Sequence, residues 1–376
     1  MNIRLRPELK LKNKLVIIKL SSLAVTHEHG GLNLEQIKAI VNDIDQLINS
    51  LKLNVIIVSS GAVNAGRKFI THTEKHNMTD LQACSAVGQP ILMHAFQEQF
   101  KTHNLQAAQV LLTHEDLKNK LRSHNIRGSI LCLLKNGIIP ILNENDSVSF
   151  DEITVGDNDQ LSAMIGETMS ADLLCMLTKA DGLYNKDPNE VDAQHFPVID
   201  FQDGLAGFST ITKSSAGRGG MKTKLQAVRK LTPLGIHVLI GSYCQNLPIL
   251  RLLTTEQGTL FLADPQESKS KKKSWILTRV RNHATIKIDQ GAVQALLKNA
   301  SLLPIGITST SGKFNRGDSV IIKHKNKIIA HGITEYSATD IEKIKHLKSS
   351  DLSNVLAYVP SKVVIHKDNL LLKQDH

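Results

Sequence analysis

Several short segments of this 376-residue chain carry side chains that ordinary structural roles do not exhaust. Lys19 sits inside the apolar run Leu15–Leu20 (LVIIKL), with Ser21 and Ser22 directly after it. A lysine at the end of a buried strand is costly to desolvate unless an anion or a carboxylate meets it. An edge lysine or a buried ion pair would account for it equally well. Ser59-Ser60-Gly61-Ala62 follows a second apolar run and leads to Gly66. Small residues there let backbone N–H groups approach a ligand, although the same residues also make a plain strand-to-helix turn.

Three more segments extend the pattern. Asn143-Glu144-Asn145-Asp146 follows GIIPIL, and four polar residues there read as a tip after the strand, suited to an ammonium or hydroxyl group or to an Asx-rich turn. Gly156-Asp157-Asn158-Asp159 precedes a helical pattern. Asp157 or Asn158 suffices to cap that helix, which leaves Asp159 to position lysines. Gly217-Arg218-Gly219-Gly220-Met221-Lys222-Thr223-Lys224 is rich in glycine and opens another helix. Such a loop folds around phosphates, and a lysine in the first turn reaches them, but GxxxxGK[ST] spacing is absent. A flexible surface loop is the competing reading. Together the lysines, glycines and acidic tips point to phosphoryl transfer, which needs positioning and positive charge more than covalent help.

The elements that must hold these residues are legible as alternation. Leu15–Leu20, Asn54–Val58, Gln106–Leu112, Gly137–Leu142, Asp172–Leu177 and Gly235–Ile240 are apolar runs that suit buried strands. Between them lie helical patterns; Leu34, Ile37, Val41, Ile44, Ile48 and Leu51 form one helix face. This predicts an α/β domain with a mostly parallel sheet, ligands gathering at the carboxyl ends of the strands. Ser268–Ser274 (SKSKKKS) reads as a basic linker between residues 1–267 and 275–376. Beyond it the texture is that of a small β-rich domain, with short strands at Thr285–Ile288, Gly306–Thr308, Ser319–Ile322, Ile328–Ala330 and Val363–His366. One helix is expected there, at Gly291–Asn299.

Composition narrows the class. At 41% hydrophobic and 21% charged the chain can bury a sizeable core. No apolar run nears the ~20 residues that cross a bilayer, and the basic start MNIRLRPELKLKNK lacks the apolar stretch of a secretory signal. No membrane association is expected, and the location expected is cytoplasmic. Cys84, Cys132, Cys175 and Cys244 form no CxxC pair and read as buried, reduced thiols. The sixteen histidines lie in polar, loop-like stretches, read as surface residues and form no metal signature, so no metal ligands are assigned. The net charge is 45 − 35 = +10; residues 1–268 give 26 − 27 = −1 and residues 269–376 give 19 − 8 = +11. The excess belongs to the last third, where a polyanionic partner or a solvated basic face explains it.

The series VIIKL, VSSGAVNAGR, SAVGQ, ILNENDSV, VGDNDQLSA, LTKADGLYNKDP and GRGGMKTKLQA resembles the glutamate 5-kinase branch of the amino acid kinase family. Residues Trp275–His366, with SLLPIGITSTSGKFNRGD and IAHGI, look like the PUA domain that some of these enzymes carry. The resemblance implies a three-layer αβα sandwich followed by a small PUA domain. It implies ATP- and Mg²⁺-dependent phosphorylation of the γ-carboxylate of L-glutamate, the first step towards proline, by a homo-oligomer (dimer or tetramer). It places Lys19 and Lys224 as the catalytic lysines and Asp159 as the residue that orients them. Ser60, Asp146 and Asn158 fall on glutamate-binding positions. Thr178, Lys179 and Arg218, Gly219, Gly220, Met221, Lys222, Thr223 and Lys224 fall on the nucleotide side, with Lys19 reaching it too. Three positions depart from the family: Ser21 where Gly is usual, Lys179 where Asp is usual, and Arg218 where Thr is usual. A kinase of another small acid, or an impaired homologue acting as an RNA-binding or regulatory protein through the PUA part, are the alternatives.

Overall fold

The computed structural model describes residues 3–70, 77–148, 158–186, 190–203, 220–244, 246–265 and 280–373. They group into two compact units, one of residues 1–118 with 126–267 and one of 119–125 with 268–376.

In the first unit the elements run β1 (Leu15–Leu20), α1 (Leu34–Leu51), β2 (Asn54–Val58), α2 (Ala62–Gly66), α3 (Met78–Lys101), β3 (Gln106–Leu112), α4 (His114–Lys118), α5 (Lys120–Lys135, of which residues 126–135 belong to this unit) and β4 (Ile138–Glu144). They continue with α6 (Asn158–Met169), β5 (Leu173–Thr178), β6 (Leu183–Tyr184), β7 (His195–Phe196), β8 (Val198–Ile199), α7 (Gly220–Leu231), β9 (His237–Ser242), α8 (Pro248–Thr254) and β10 (Thr259–Phe261). Eight strands form one sheet in the order β3-β4-β2-β1-β5-β9-β10-β8. Among the described residues, only the β9–β10 pair of this sheet is antiparallel.

Strand parity sorts the core into two layers. Val16, Ile18 and Leu20 of β1 pack with α1, α3 and α8 on one face; Ile17 packs with α6 and α7 on the other. Because side chains alternate, Lys19 shares the face of Ile17. The same count sends Met176 and Thr178 of β5 towards α6 and α7, and Asn143 of β4, in phase with Ile139 and Ile141, towards α3. Helix α2 meets α3 at a glycine crossing: a Cβ on Gly66 would lie 1.9 Å from the Cys84 carbonyl oxygen, and one on Gly88 1.9 Å from that of Ala62. Asp43 of α1 is buried and accepts from the Ile249 N–H (2.7 Å) and the Leu250 N–H (3.2 Å), fastening α8 to the same layer. Burial pushes its carboxyl up to about 7.

In the second unit, β11 (Val280–Ile288), α9 (Gln290–Leu297), β12 (Ile307–Ser311), β13 (Ser319–His324), β14 (Lys327–Ile333), α10 (Ala338–Ile344) and β15 (Leu370–Leu372) follow. The strands make a five-stranded sheet in the order β12-β11-β13-β14-β15. Val320, Ile322, Ile286, Ile288 and Tyr336 lie in its core.

Four expectations need correction. Asn143 and Glu144 are not a tip but the last two residues of β4, paired with Leu111 and Leu112 of β3 and buried. The Asn143 amide is hydrogen-bonded through both its nitrogen and its oxygen, and the Glu144 carboxylate lies 4.0 Å from His114 Nδ1. Val363–His366 is not a strand; Ile365 makes one isolated bridge, to Leu302, and the edge strand is Leu370–Leu372. Cys84 and Cys175 are buried, but Cys132 and Cys244 are exposed, and all four are free. His124 is buried, unlike a surface histidine. The expected linker 268–274 lies outside the described residues.

Candidate active site

Lys19 ends the central part of the sheet, with β2 on one side of its strand and β5 on the other. Its Nζ lies 2.6 Å from Asp159 Oδ1. Lys224 Nζ lies 2.9 Å from Asp159 Oδ2, and the Thr223 hydroxyl donates to the same oxygen at 2.8 Å. Lys224 also donates to the carbonyl of Gly220 in its own first turn, at 3.0 Å. Lys19, Asp159 and Lys224 are 4%, 1% and 6% exposed. One carboxylate between two ammonium groups leaves a net charge of +1 at the mouth of the sheet, and a buried net charge calls for a counter-ion. Burial alone would raise the Asp159 carboxyl; the two ammonium groups outweigh it and hold it below the usual carboxylate range.

On the β2–β4 side Asn158 begins α6 but does not cap it. Its Nδ2 donates to the Ser59 carbonyl (2.9 Å), to Ser60 Oγ (2.8 Å) and to Asn143 Oδ1 (3.1 Å). Asn143 Nδ2 donates to Gln89 Oε1 at 2.8 Å, and Gln89 Nε2 to Gln109 Oε1 at 3.1 Å. The backbone fixes the polarity of this relay at two points. The Ser59 carbonyl only accepts, and the Glu144 N–H, which donates to Asn143 Oδ1 at 2.9 Å, only donates. Asn158 Oδ1 is thereby turned away from its neighbours; it is buried and has no hydrogen-bond partner. The Ser85 hydroxyl donates to Asp146 Oδ2 at 2.6 Å. Burial raises the Asp146 carboxyl, against the opposing bond from Ser85. Both line a pocket of ≈ 200 Å³ with Ala86, Gln89, Pro90 and Gln109. That is below the range of drug-sized ligands and suits a small one. The turn that carries Ser60 closes because Gly61 takes φ +103°, where a Cβ would sit 2.8 Å from Val25.

On the β5–β9 side, Thr178 ends β5 and its carbonyl accepts the Tyr243 N–H at 2.9 Å. The Ser21 hydroxyl is buried without a partner, while its N–H bonds the Leu177 carbonyl at 3.1 Å. Of the positions assigned to this side, Lys19, Thr223 and Lys224 converge on Asp159. Met221 packs on the core, Gly220 and Lys222 are exposed, and Arg218, Gly219 and Asp157 lie outside the described residues. Lys179 does not face the buried cluster: it is 73% exposed, 3.5 Å from Glu28. Among the described residues no group of three metal-ligating side chains forms, and no helix is long and apolar enough to cross a membrane.

Sequence reasoning missed Ser85, Gln89 and Gln109 as site residues. Their signal was weak but present: Ser85 and Gln89 are polar residues on a buried face of α3.

The model of the amino acid kinase family matches residues 14–242, and that of the PUA domain residues 284–356. The glutamate 5-kinase of Carboxydothermus hydrogenoformans is 39% identical over 96% of this chain and 98% of its own. That of Caldanaerobacter subterraneus subsp. tengcongensis is 37% identical over 95% and 97%. Among solved structures, carbamate kinase from Giardia lamblia bound to AMP-PNP covers 67% of this chain and 99% of its own, with a TM-score of 0.50 and 15% identity. That likeness concerns the fold.

Proposed function

The chain belongs to the amino acid kinase family, in its glutamate 5-kinase branch, and from that premise we propose that it transfers the γ-phosphoryl group of ATP to the γ-carboxylate of L-glutamate, giving L-glutamyl 5-phosphate. The observation that carries this reading is Asp159 joining Lys19 and Lys224 between the two halves of the strand-end site.

A side-chain carboxylate with a pKa of about 4.3 is ionised at neutral pH, so its attack needs no general base. A carboxylate oxygen forms the new bond to phosphorus, the bond to the bridging oxygen breaks, and ADP leaves without net proton transfer. The obstacle is repulsion between two anions. Lys19 and Lys224 supply positive charge where it moves, and Asp159 fixes both before substrate arrives. The buried, unpartnered Ser21 hydroxyl fits a phosphate-facing position at the end of the same strand. ATP supplies the phosphoryl group, and Mg²⁺ adds positive charge on its phosphates.

Asp146 is the acceptor assigned to the α-ammonium, and the Ser60 region, hydrogen-bonded to Asn158, is assigned to a carboxylate. A free amine is therefore preferred over a blocked one. Replacing Asp146 with Asn should raise the glutamate KM about tenfold or more with a smaller change in kcat, since a hydrogen bond to a charged group is worth about 1.5–3 kcal/mol. An unchanged KM would remove Asp146 from the ammonium site. Lys179→Ala should move the KM for ATP by less than about fivefold, because an exposed ion pair is worth about 0–1 kcal/mol. A larger change would place Lys179 on the nucleotide. The +11 balance of residues 269–376 supports an RNA partner for the PUA unit, whose binding would weaken steeply with salt.

The purified chain, given ATP, Mg²⁺ and hydroxylamine, should form hydroxamate with L-glutamate and far less with N-acetyl-L-glutamate or L-aspartate. Turnover with the acetylated acid alone, or with none, would sink the reading.

A further inference from the structure

Helix α3 runs unbroken from Met78 to Lys101 with Pro90 in its interior. Proline is the least favoured residue there, because it has no N–H for the carbonyl four residues earlier. The carbonyl deprived of its helical donor is that of Ala86. In an α-helix this group lies on the line between residues i and i+4. Ala86 and Pro90 both line the small pocket, as do Ser85 and Gln89 one residue before each of them, and Asp146 lines the same pocket. Ala86 and Pro90 are both exposed, so the interruption in the helical ladder lies on the open side of the pocket and not in the core. The other polar groups of that wall are already engaged: Ser85 with Asp146, Gln89 with Asn143 and Gln109.

We propose that the Ala86 carbonyl, released by Pro90, is a second acceptor beside Asp146 for the α-ammonium of the substrate amino acid. An ammonium group carries three N–H donors, so a carboxylate alone leaves it short of partners. Glu144, 2% exposed, lines the same pocket and brings a second carboxylate; the freed backbone carbonyl adds a neutral acceptor on the helix side. It also discriminates against ligands that lack the amine. The proposal rests on the glutamate reading above and names a specificity-determining feature within it: a proline at position 90 that forfeits helix stability for a binding group.

The test is Pro90→Ala, and independently Pro90→Ser, in the full chain. Either substitution restores the N–H and lets the Ala86 carbonyl return to the helix. The expected result is a higher melting temperature together with an L-glutamate KM raised roughly five- to tenfold, a fraction of the loss for a charged hydrogen bond because water partly substitutes. The response to glutarate, which lacks the amine, should not change, and neither should the KM for ATP. A merely structural role would shift glutamate and glutarate together. An unchanged glutamate KM in both variants, or equal shifts for glutamate and glutarate, overturns the proposal while the functional reading stands. A wild-type chain that forms no hydroxamate with glutamate overturns that reading, and the ammonium ligand named here falls with it.

Discussion

Replacing Lys224 with Ala should lower kcat by about 10²–10³-fold, the loss seen when one preorganised donor to a developing charge is removed. The glutamate KM should stay within a few-fold. Lys224 reaches the site from the first turn of α7, and its Nζ is shared between Asp159 and the Gly220 carbonyl. Removing it leaves Asp159 with Lys19 at 2.6 Å and with the Thr223 hydroxyl, so the carboxylate is not stranded. The fold should survive, and the cost should fall on the step in which negative charge shifts between oxygens. Hydroxamate formation under saturating substrates gives kcat, and a thermal melt by circular dichroism checks the fold. Lys224→Arg keeps the charge but replaces a compact ammonium with a planar fork, and should recover little of the rate. A folded Lys224→Ala protein with near-normal kcat would take this residue out of the reaction.

How much of this was legible beforehand follows from the range of the interactions. Apolar runs and their β-branched residues marked six strands of the main sheet, and strand parity, a local property, set which face each side chain would take. Lys19 therefore announced itself, since an ionised group amid LVIIK-type packing needs a partner wherever it points. The identity of that partner was not local. Asp159 lies 140 positions later (159 − 19), and only the pairing of β1 with β2 and β5 brings its helix over the lysine. Lys179 shows the converse. Its reversed charge was legible, but its direction depends on Glu28, on a distant loop, and the pair lies in solvent. Asn143 and Glu144 were misplaced because their composition favours turns, while the neighbouring strand β3 offered ladder partners that extended β4 by two residues. The relay through Gln89 was invisible because its links are not local: Asn143 meets Gln89 54 positions away, and Asn158 meets the Ser59 carbonyl 99 positions away.

Asp159→Asn should be the most destabilising substitution in the site. At neutral pH it leaves two buried ammonium groups facing each other without the charge that joins them. Breaking a buried ion pair by removing one partner costs about 3–5 kcal/mol. Here one carboxylate serves two lysines, and at 1% exposure solvent relieves little of the loss. The amide retains the shape and can still accept from Thr223, so the change tests charge rather than packing. The pH dependence has a defined sign. The two ammonium groups outweigh burial and hold the folded-state pKa of Asp159 below the ordinary aspartate value. Its contribution is therefore complete above about pH 5 and disappears as pH falls through the folded value. The stability gap between wild type and variant, measured by urea unfolding, should be constant from pH 7 to pH 5 and close below pH 4. Activity should fall as well, because lysines that repel each other no longer hold their places for the phosphoryl group. A variant as stable as wild type at pH 7 would mean that the lysines are not both charged there. The site would then lack the net positive charge on which its assignment to phosphoryl transfer depends.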